Sequence, residues 1–333
     1  FPTRRSSDLI GILFGLAMDY QLFLATGMRE AYVHGMSAKD SVNHGLKLSR
    51  SVVLAAAASL TNNIHLGSAV SILPTKDAVR LFQDFATLDL LSHGRAEMTV
   101  GTGAFIESYP LFGRKLENMQ IEFSEKLGLL KLLNTQNPVT WSGQFRSPIE
   151  NMGIWPRPYN EELDIWVAVG ATPESSERAA SHDLNAIYSF LGNPPADNKH
   201  LVEHYRAELT RNGFDAGRRK VAVAGRGLVL QDGKAAKEFL YKHWLPSVSK
   251  MAAERGRPAP DRELFDEQAN GRGPILAGDP TEVASRIAEI HDSLGHNRHI
   301  LQMDIGNVPH LEVMKSIELF GTKVLPMVAG LGQ

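Results

Sequence analysis

From residue 52 onward the chain alternates between two hydrophobic periods. Asp77 to Leu91 carries Val79, Phe82, Phe85, Ala86 and Leu88 at helical spacing, and Ser92-His93-Gly94 reads as its C-terminal stop. Short apolar runs read instead as strands: Ile64 to Leu73, Ala96 to Val100, Asp164 to Val169, Asn185 to Phe190, Lys220 to Leu230 and His299 to Ile305. Further helical patterns occupy Ile121 to Leu133, a segment starting at Thr172, Ala196 to Asn212, Gly233 to Arg255, Thr281 to Leu294 and His310 to Met327. Val52 to Leu60 is an alanine-rich helix stopped by Thr61-Asn62-Asn63, and the Pro-, Gly- and Trp-rich stretch Asn134 to Asn160 predicts a small hairpin with an irregular loop. Strands that each lead into a helix imply a parallel sheet, because parallel neighbours need crossover connections. Near-continuous apolar strands such as Ile165 to Val169 imply burial on both faces. A barrel and an open doubly wound sheet both satisfy that pattern.

The residues ahead of this region follow another rule. Leu9 to Thr26 is an apolar run with a single formal charge, Asp19, behind a basic and polar Phe1 to Asp8. It is a borderline membrane-spanning candidate and fits a signal peptide poorly. The words FGLAMDYQLFLATGMREAYVHG and AKDSVNHGLKLSRSVVLAAA resemble part of an MMPL-type transporter of the RND superfamily. There an Asp-Tyr pair, here Asp19-Tyr20, is implicated in proton relay. The opening FPTRRSSDL resembles sequencing-adapter read-through. The expected organisation is a chimera: a scar over 1–9, a transporter-like helical fragment over 10–51, and an α/β enzyme over 52–333. A genuine membrane-anchored protein is the alternative.

Composition narrows the chemistry. With 333 residues, 43% hydrophobic and 22% charged, the chain is long enough for one large α/β barrel or two ordinary domains. A net charge of -2 gives no reason to expect a nucleic-acid partner. The absence of cysteine removes disulfides, thiolate nucleophiles and cysteine-bound metals, so redox chemistry requires a bound cofactor; it also fits a cytoplasmic protein. No His-x-x-x-His spacing or carboxylate cluster points to a metal, and no Walker-type loop or dinucleotide G-x-G-x-x-G sits in the required context.

The segment LGSAVSILPTKDAVRLFQDFATLDLLSHGRAEMTVGTGAFIESYPLFG, Leu66 to Gly113, closely resembles the core of bacterial-luciferase-like flavin monooxygenases, and VAVGATPES (Val167 to Ser175) and ILQMDIGNVPHLEVMKSIELFG (Ile300 to Gly321) are similar to later words of the same family. The resemblance implies a TIM-type (β/α)₈ barrel, a flavin cofactor and a small organic substrate. It also implies that this chain enters the barrel at the helix before the third strand, the first two strands and their active-site loops being absent. Such a truncated barrel exposes strand edges, so instability or aggregation is expected.

Barrel active sites lie at the carboxyl ends of the strands, which singles out the residues after each apolar run. Ser68-Ala69-Val70 is one such place, and the resemblance implies a cis Ala69–Val70 peptide against the flavin ring; the alternative is an ordinary buried strand end. Thr102 and Gly103 follow the next strand, where glycine lets backbone approach a ring or phosphate or simply shapes a tight turn. Many relatives carry Arg at the position of Thr102. Gly170, Ala171, Thr172 and Ser175 open a helix whose N-terminal amides suit a phosphate, with Thr172 as N-cap and Pro173 in the first position; plain capping would use the same residues. Arg226 interrupts an apolar strand and either reaches an anion at the barrel mouth or pairs with a structural carboxylate. Gln302 is a candidate hydrogen-bonding group for the flavin edge. Asp304 reads as a loop organiser, His310 as the start of the final helix, and Gly278-Asp279-Pro280-Thr281 as helix-start chemistry. Trp155, Trp166 and Tyr188 read as packing rather than stacking platforms. No catalytic residue is assigned. The expected reaction uses reduced FMN and O2 to oxygenate the substrate, with hydride transfer on coenzyme F420 as the rival and a membrane transporter fragment as the alternative from another class. Relatives imply a homodimer and a separate flavin reductase as partners.

Overall fold

A computed structural model describes residues 53–331. The transporter-like segment and the adapter-like opening lie outside those residues. Among the described residues, no helix is long and apolar enough to cross a membrane. The chain divides between Asp164 and Ile165 into two compact units.

The first unit contains helix α1 (53–60), strands β1 (Leu66–Gly67) and β2 (Ser71–Ile72), helix α2 (Ala78–Ser92), strand β3 (Ala96–Gly101), helices α3 (Ser108–Leu111) and α4 (Met119–Thr135), and the antiparallel hairpin β4 (Val139–Trp141) and β5 (Ile149–Met152). β1 and β2 both pair parallel with β3. The strand expected over Ile64 to Leu73 is thus two short pieces; the segment between them lies off the ladder. α2 begins where the Asp77 carboxylate accepts from the Arg80 amide, and it ends at His93 (φ 55) and Gly94 (φ 84), both left-handed.

Two buried polar side chains explain why this unit needs its Leu-Asp-Leu and Ser-x-Gly-Arg words. Asp89, 2% exposed, accepts from the Ala96 amide at 3.1 Å and the Tyr159 amide at 2.9 Å, joining the turn into β3 to the loop after the hairpin. The Arg95 guanidinium donates to the carbonyls of Ala58, Thr61, Ile64 and Ser92 and to the Thr61 hydroxyl, at 2.6 to 3.0 Å. It satisfies carbonyls at the end of α1 that the helix itself leaves free and binds α1 to the sheet.

The second unit repeats strand and helix: β6 (Asp164–Val169), α5 (Pro173–Ser181), β7 (Asn185–Ser189), α6 (Lys199–Arg211), β8 (Val221–Val229), α7 (Gly233–Glu254), α8 (Arg262–Ala269), β9 (Leu276–Gly278), α9 (Pro280–Leu294), β10 (Arg298–Gln302) and α10 (His310–Leu319). All its strand pairs are parallel, in the order β6-β7-β8-β10, with β9 against the end of β8. Three of its helices start on aspartates: the Asp232, Asp261 and Asp279 carboxylates accept first-turn amides of α7, α8 and α9. On one sheet face Trp166, Ile187 and Ala222 form an apolar cluster with Ala224 and Ile300. Elsewhere in this unit Leu228, Leu240, Trp244, Phe265 and Ile275 form a core in which the Trp244 and Phe265 rings are 5.2 Å apart. Burial on both faces is why these strands read as unbroken apolar runs.

Differences from the sequence expectation are local. The last strand ends at Gln302, before Asp304, and the closing helix is interrupted by a π-helical turn over Phe320–Val324 before a short helix α11 (Leu325–Val328). α8 and β9 have too few residues to show a period, and sequence reasoning missed both. Trp155 is 64% exposed rather than packed, whereas Trp166 and Tyr188 are fully buried.

Candidate functional site

In the first unit the strand-end groups are built from backbone. Gly67 to Ser71 spans one residue more than their β3 partners Glu97 to Val100, so Ser68, Ala69 and Val70 form a bulge. The Ala69–Val70 peptide in it is cis, the geometry the resemblance implied. The Ser68 hydroxyl donates to the Thr99 carbonyl at 3.0 Å and lies 3.1 Å from the Ser71 hydroxyl, which fastens the bulge to β3. Ala69 is exposed and presents little beyond its peptide groups.

Thr102 and Gly103 stand half-buried at the end of β3. The Tyr109 hydroxyl donates to the Thr102 carbonyl at 2.8 Å. Gly103 has φ +79, and a Cβ there would lie 2.7 Å from Ile72 Cδ1, so only glycine fits. The two strand-end loops therefore touch through Ile72.

In the second unit Gly170, Ala171 and Thr172 are exposed at the start of α5, with Ser175 half-buried. The Ser175 hydroxyl lies 2.6 Å from the Thr172 carbonyl and 3.1 Å from that of Gly170, holding the turn closed. In the first turn the exposed Glu174 carboxyl is held below its ordinary pKa by its own backbone amide, then by the Thr172 hydroxyl. A bound phosphate would displace that carboxylate.

Arg226, on β8, is the group that most needs a partner. It shares a face with Ala222 and Ala224, because alternate strand residues point the same way, and it stands in register with Gln302 of β10. Its Nε is buried without a hydrogen-bond partner, and burial pushes the guanidinium pKa down. A buried donor without an acceptor costs on the order of 1–3 kcal/mol, which an arriving anion would recover. Gln302 is exposed beside it, and Gly170 lies at the end of β6, across β7 from β8. The second unit thus offers a guanidinium with an unpartnered Nε, an amide side chain in register with it and, two strands away, a helix start, groups whose chemistry suits an anion.

The luciferase-like monooxygenase family model matches residues 30–297. The chain belongs to that family. The match starts ahead of Val52, so the boundary inferred from sequence falls within it. A 47-residue stretch is also 57% identical to membrane protein YdfJ of Bacillus subtilis, over 14% of this chain and 6% of that protein. Among solved structures, the chain shares the fold of monooxygenase RslO1 from Streptomyces bottropensis, with a TM-score of 0.69 and 23% identity over 83% of this chain and 82% of that one. The oxygenating constituent of 3,6-diketocamphane monooxygenase from Pseudomonas putida, solved in complex with FMN, has a TM-score of 0.63 and 19% identity, covering 83% of this chain and 84% of that one. An F420-dependent secondary alcohol dehydrogenase, in complex with an F420-acetone adduct, has a TM-score of 0.66 and 18% identity, covering 84% and 83%. These likenesses assign the luciferase-like fold, an α/β barrel of the TIM type.

Within this luciferase-like chain, sequence reasoning missed several polar residues behind the strand ends. Tyr109, Glu122 and Lys126 are buried in the first unit; the i, i+4 placing of Glu122 and Lys126 on the apolar face of α4 was the available signal. In the second unit Glu177, His204 and Glu208 bring ligand-type atoms within 4.8 Å of one another. They come from two helices, so no linear motif shows them. The Arg211 guanidinium already pairs with Glu208, and His204 Nε2 lies 2.9 Å from Glu177, which makes the group an ion-pair cluster bridging α5 and α6.

Proposed function

We propose that this chain is a flavin-dependent oxidoreductase that binds reduced FMN and oxygenates a small organic substrate with O2. The observation that carries the reading is Arg226, a half-buried arginine in the second half of β8, in register with Gln302, whose Nε is buried without an acceptor. Cofactor-binding roles are assigned within each unit by itself: to Ser68, Ala69, Val70, Thr102 and Gly103 in the first, through backbone groups, and to Gly170, Ala171, Thr172, Ser175, Arg226 and Gln302 in the second, through helix amides, a positive charge and a hydrogen bond. Bound reduced FMN supplies the electrons with which O2 is activated for transfer to substrate. The chain's own residues orient: peptide groups of a fastened bulge, a glycine turn packed on Ile72, and helix amides that hold an anion. Reducing equivalents are expected from a separate flavin reductase, and a homodimer is the expected assembly.

The rival cofactor is coenzyme F420, used for hydride transfer without O2; it is supported by the F420-dependent fold neighbour. The two are separated by titrating the purified chain with each cofactor, following flavin fluorescence and deazaflavin absorbance. Saturable binding of FMN, with substrate-dependent O2 consumption after reduction, is the expected result. Binding of coenzyme F420 alone would replace the cofactor assignment, and binding of neither would overturn the flavin reading.

A further inference from the structure

The buried polar residues behind the first unit's strand ends form one connected system. On α4 the Glu122 carboxylate lies 2.7 Å from Lys126 Nζ, and both side chains are 2% exposed. The same carboxylate lies 3.2 Å from the Arg114 guanidinium. Lys126 Nζ donates to the Pro74 carbonyl at 2.6 Å, in the turn directly after β2. There the Thr75 hydroxyl donates to the Ile72 carbonyl at 2.8 Å, and the Ile72 side chain fills the space beside Gly103. In the other direction the Arg114 amide donates to the Tyr109 carbonyl at 2.8 Å, and the Tyr109 hydroxyl donates to the Thr102 carbonyl. Glu122 therefore reaches the loop after β2 through Lys126 and the loop after β3 through Arg114 and Tyr109.

Stability alone is a weak account of such a pair, since replacing a buried ion pair with apolar residues of similar volume is often neutral or stabilising. What apolar replacements cannot do is hold Pro74 and Thr102 by their carbonyls. We propose that Glu122, Lys126 and Tyr109 are positioning residues that fix the Ser68–Val70 bulge and the Thr102–Gly103 turn relative to each other for cofactor binding. The proposal rests on the flavin reading given above. The three residues act through Pro74, Ile72 and Thr102.

The test uses the full chain and two variants: E122L combined with K126M, which removes both charges together, and the milder Y109F. Amide hydrogen exchange on the flavin-free chain reads positioning without reference to cofactor. Exchange at Lys76 and over 102–104 should rise about tenfold in both variants while amides of β6 and β7 keep wild-type rates. FMN titration should then show affinity weakened about tenfold by the double substitution and less by Y109F, with the visible circular dichroism of bound flavin altered in both. Wild-type exchange at these loops in both variants would overturn the proposal, as would wild-type FMN affinity and an unaltered flavin spectrum. A parent chain that binds no flavin would instead sink the functional reading, and the exchange data would still report whether the network holds the loops.

Discussion

The two units solve the problem of presenting polar groups at strand ends in opposite ways. In the first, the presented groups are peptide units, and buried side chains are consumed in holding them: Ser68 on Thr99, Tyr109 on Thr102, Lys126 on Pro74. In the second, the backbone ladder runs on regularly and the presented group is a side chain, Arg226, whose buried Nε is left without an acceptor. Hydrogen bonds from buried side chains fix the carbonyls they reach, and an unsatisfied buried donor is a cost borne by the free protein. The first unit is thus preorganised before any ligand arrives, whereas the second gains most when one does.

The largest expected effect breaks the rigid side of that contrast. Arg95→Met removes the guanidinium that joins α1 and the turn after it to β3, strands buried carbonyls, and should cost about 3 kcal/mol in urea denaturation. Hydrogen exchange should place that loss in the first unit; uniform loss over both would show that the staple is not local.

Acid should act on the second unit. His296, 3% exposed, is pushed down to about 4 by burial and then by the neighbouring His291, and His299 to about 3 by burial, then by His296 and Arg286. Their folded pKa values lie below the ordinary 6.5, so the unfolded chain takes up protons first. Their contribution is present above pH about 6.5 and fades as pH falls toward about 4 for His296 and about 3 for His299, by about 2 kcal/mol for each histidine between pH 7 and 5. An H296N/H299N double variant should flatten that slope; an unchanged slope would assign it to other groups.

A smaller effect tests the unpaired cation. Arg226→Met should weaken FMN binding about tenfold, equivalent to about 1.4 kcal/mol, while leaving the thermal midpoint of the ligand-free chain unchanged or higher. Loss of stability together with loss of binding would mean that Arg226 is structural. The smallest effect concerns the start of α5. Glu174→Gln removes the carboxylate that competes for that helix end and should tighten FMN binding about threefold. The wild-type chain should approach the variant's affinity only at a pH low enough to protonate Glu174, below the ordinary carboxylate range because its pKa is lowered.

Much of the fold was legible in the chain. The strands over Ala96 to Val100, Asp164 to Val169 and Asn185 to Phe190 recur within a residue or so, because a strand buried on both faces has no polar positions to blur it. The helix starts at Asp77 and Asp279 were equally readable, since a cap is a local hydrogen bond, whereas the Asp261 start of α8 was missed. The first strand was not: Ile64 to Leu73 has the hydrophobicity of one strand, and the bulge that divides it appears only in the mismatch of register with β3. At the candidate site, sequence singled out Thr102 and Gly170 by position after apolar runs and Arg226 as a charge interrupting one. It did not distinguish Arg226 as free from Arg226 as paired, because that depends on which carboxylates the fold brings near.

By itself, then, the amino-acid order determined what depends on neighbours along the chain: element type, helix caps, the glycine turns and the family to which the pattern belongs. Tertiary structure decided what depends on residues far apart in sequence. It joined Lys126 to Pro74, put Arg95 against α1, set Gln302 beside Arg226 and gave that arginine no acceptor. Caps and periods are short-range and survive in a one-dimensional reading, whereas the satisfaction of a buried charge is set by packing in three dimensions.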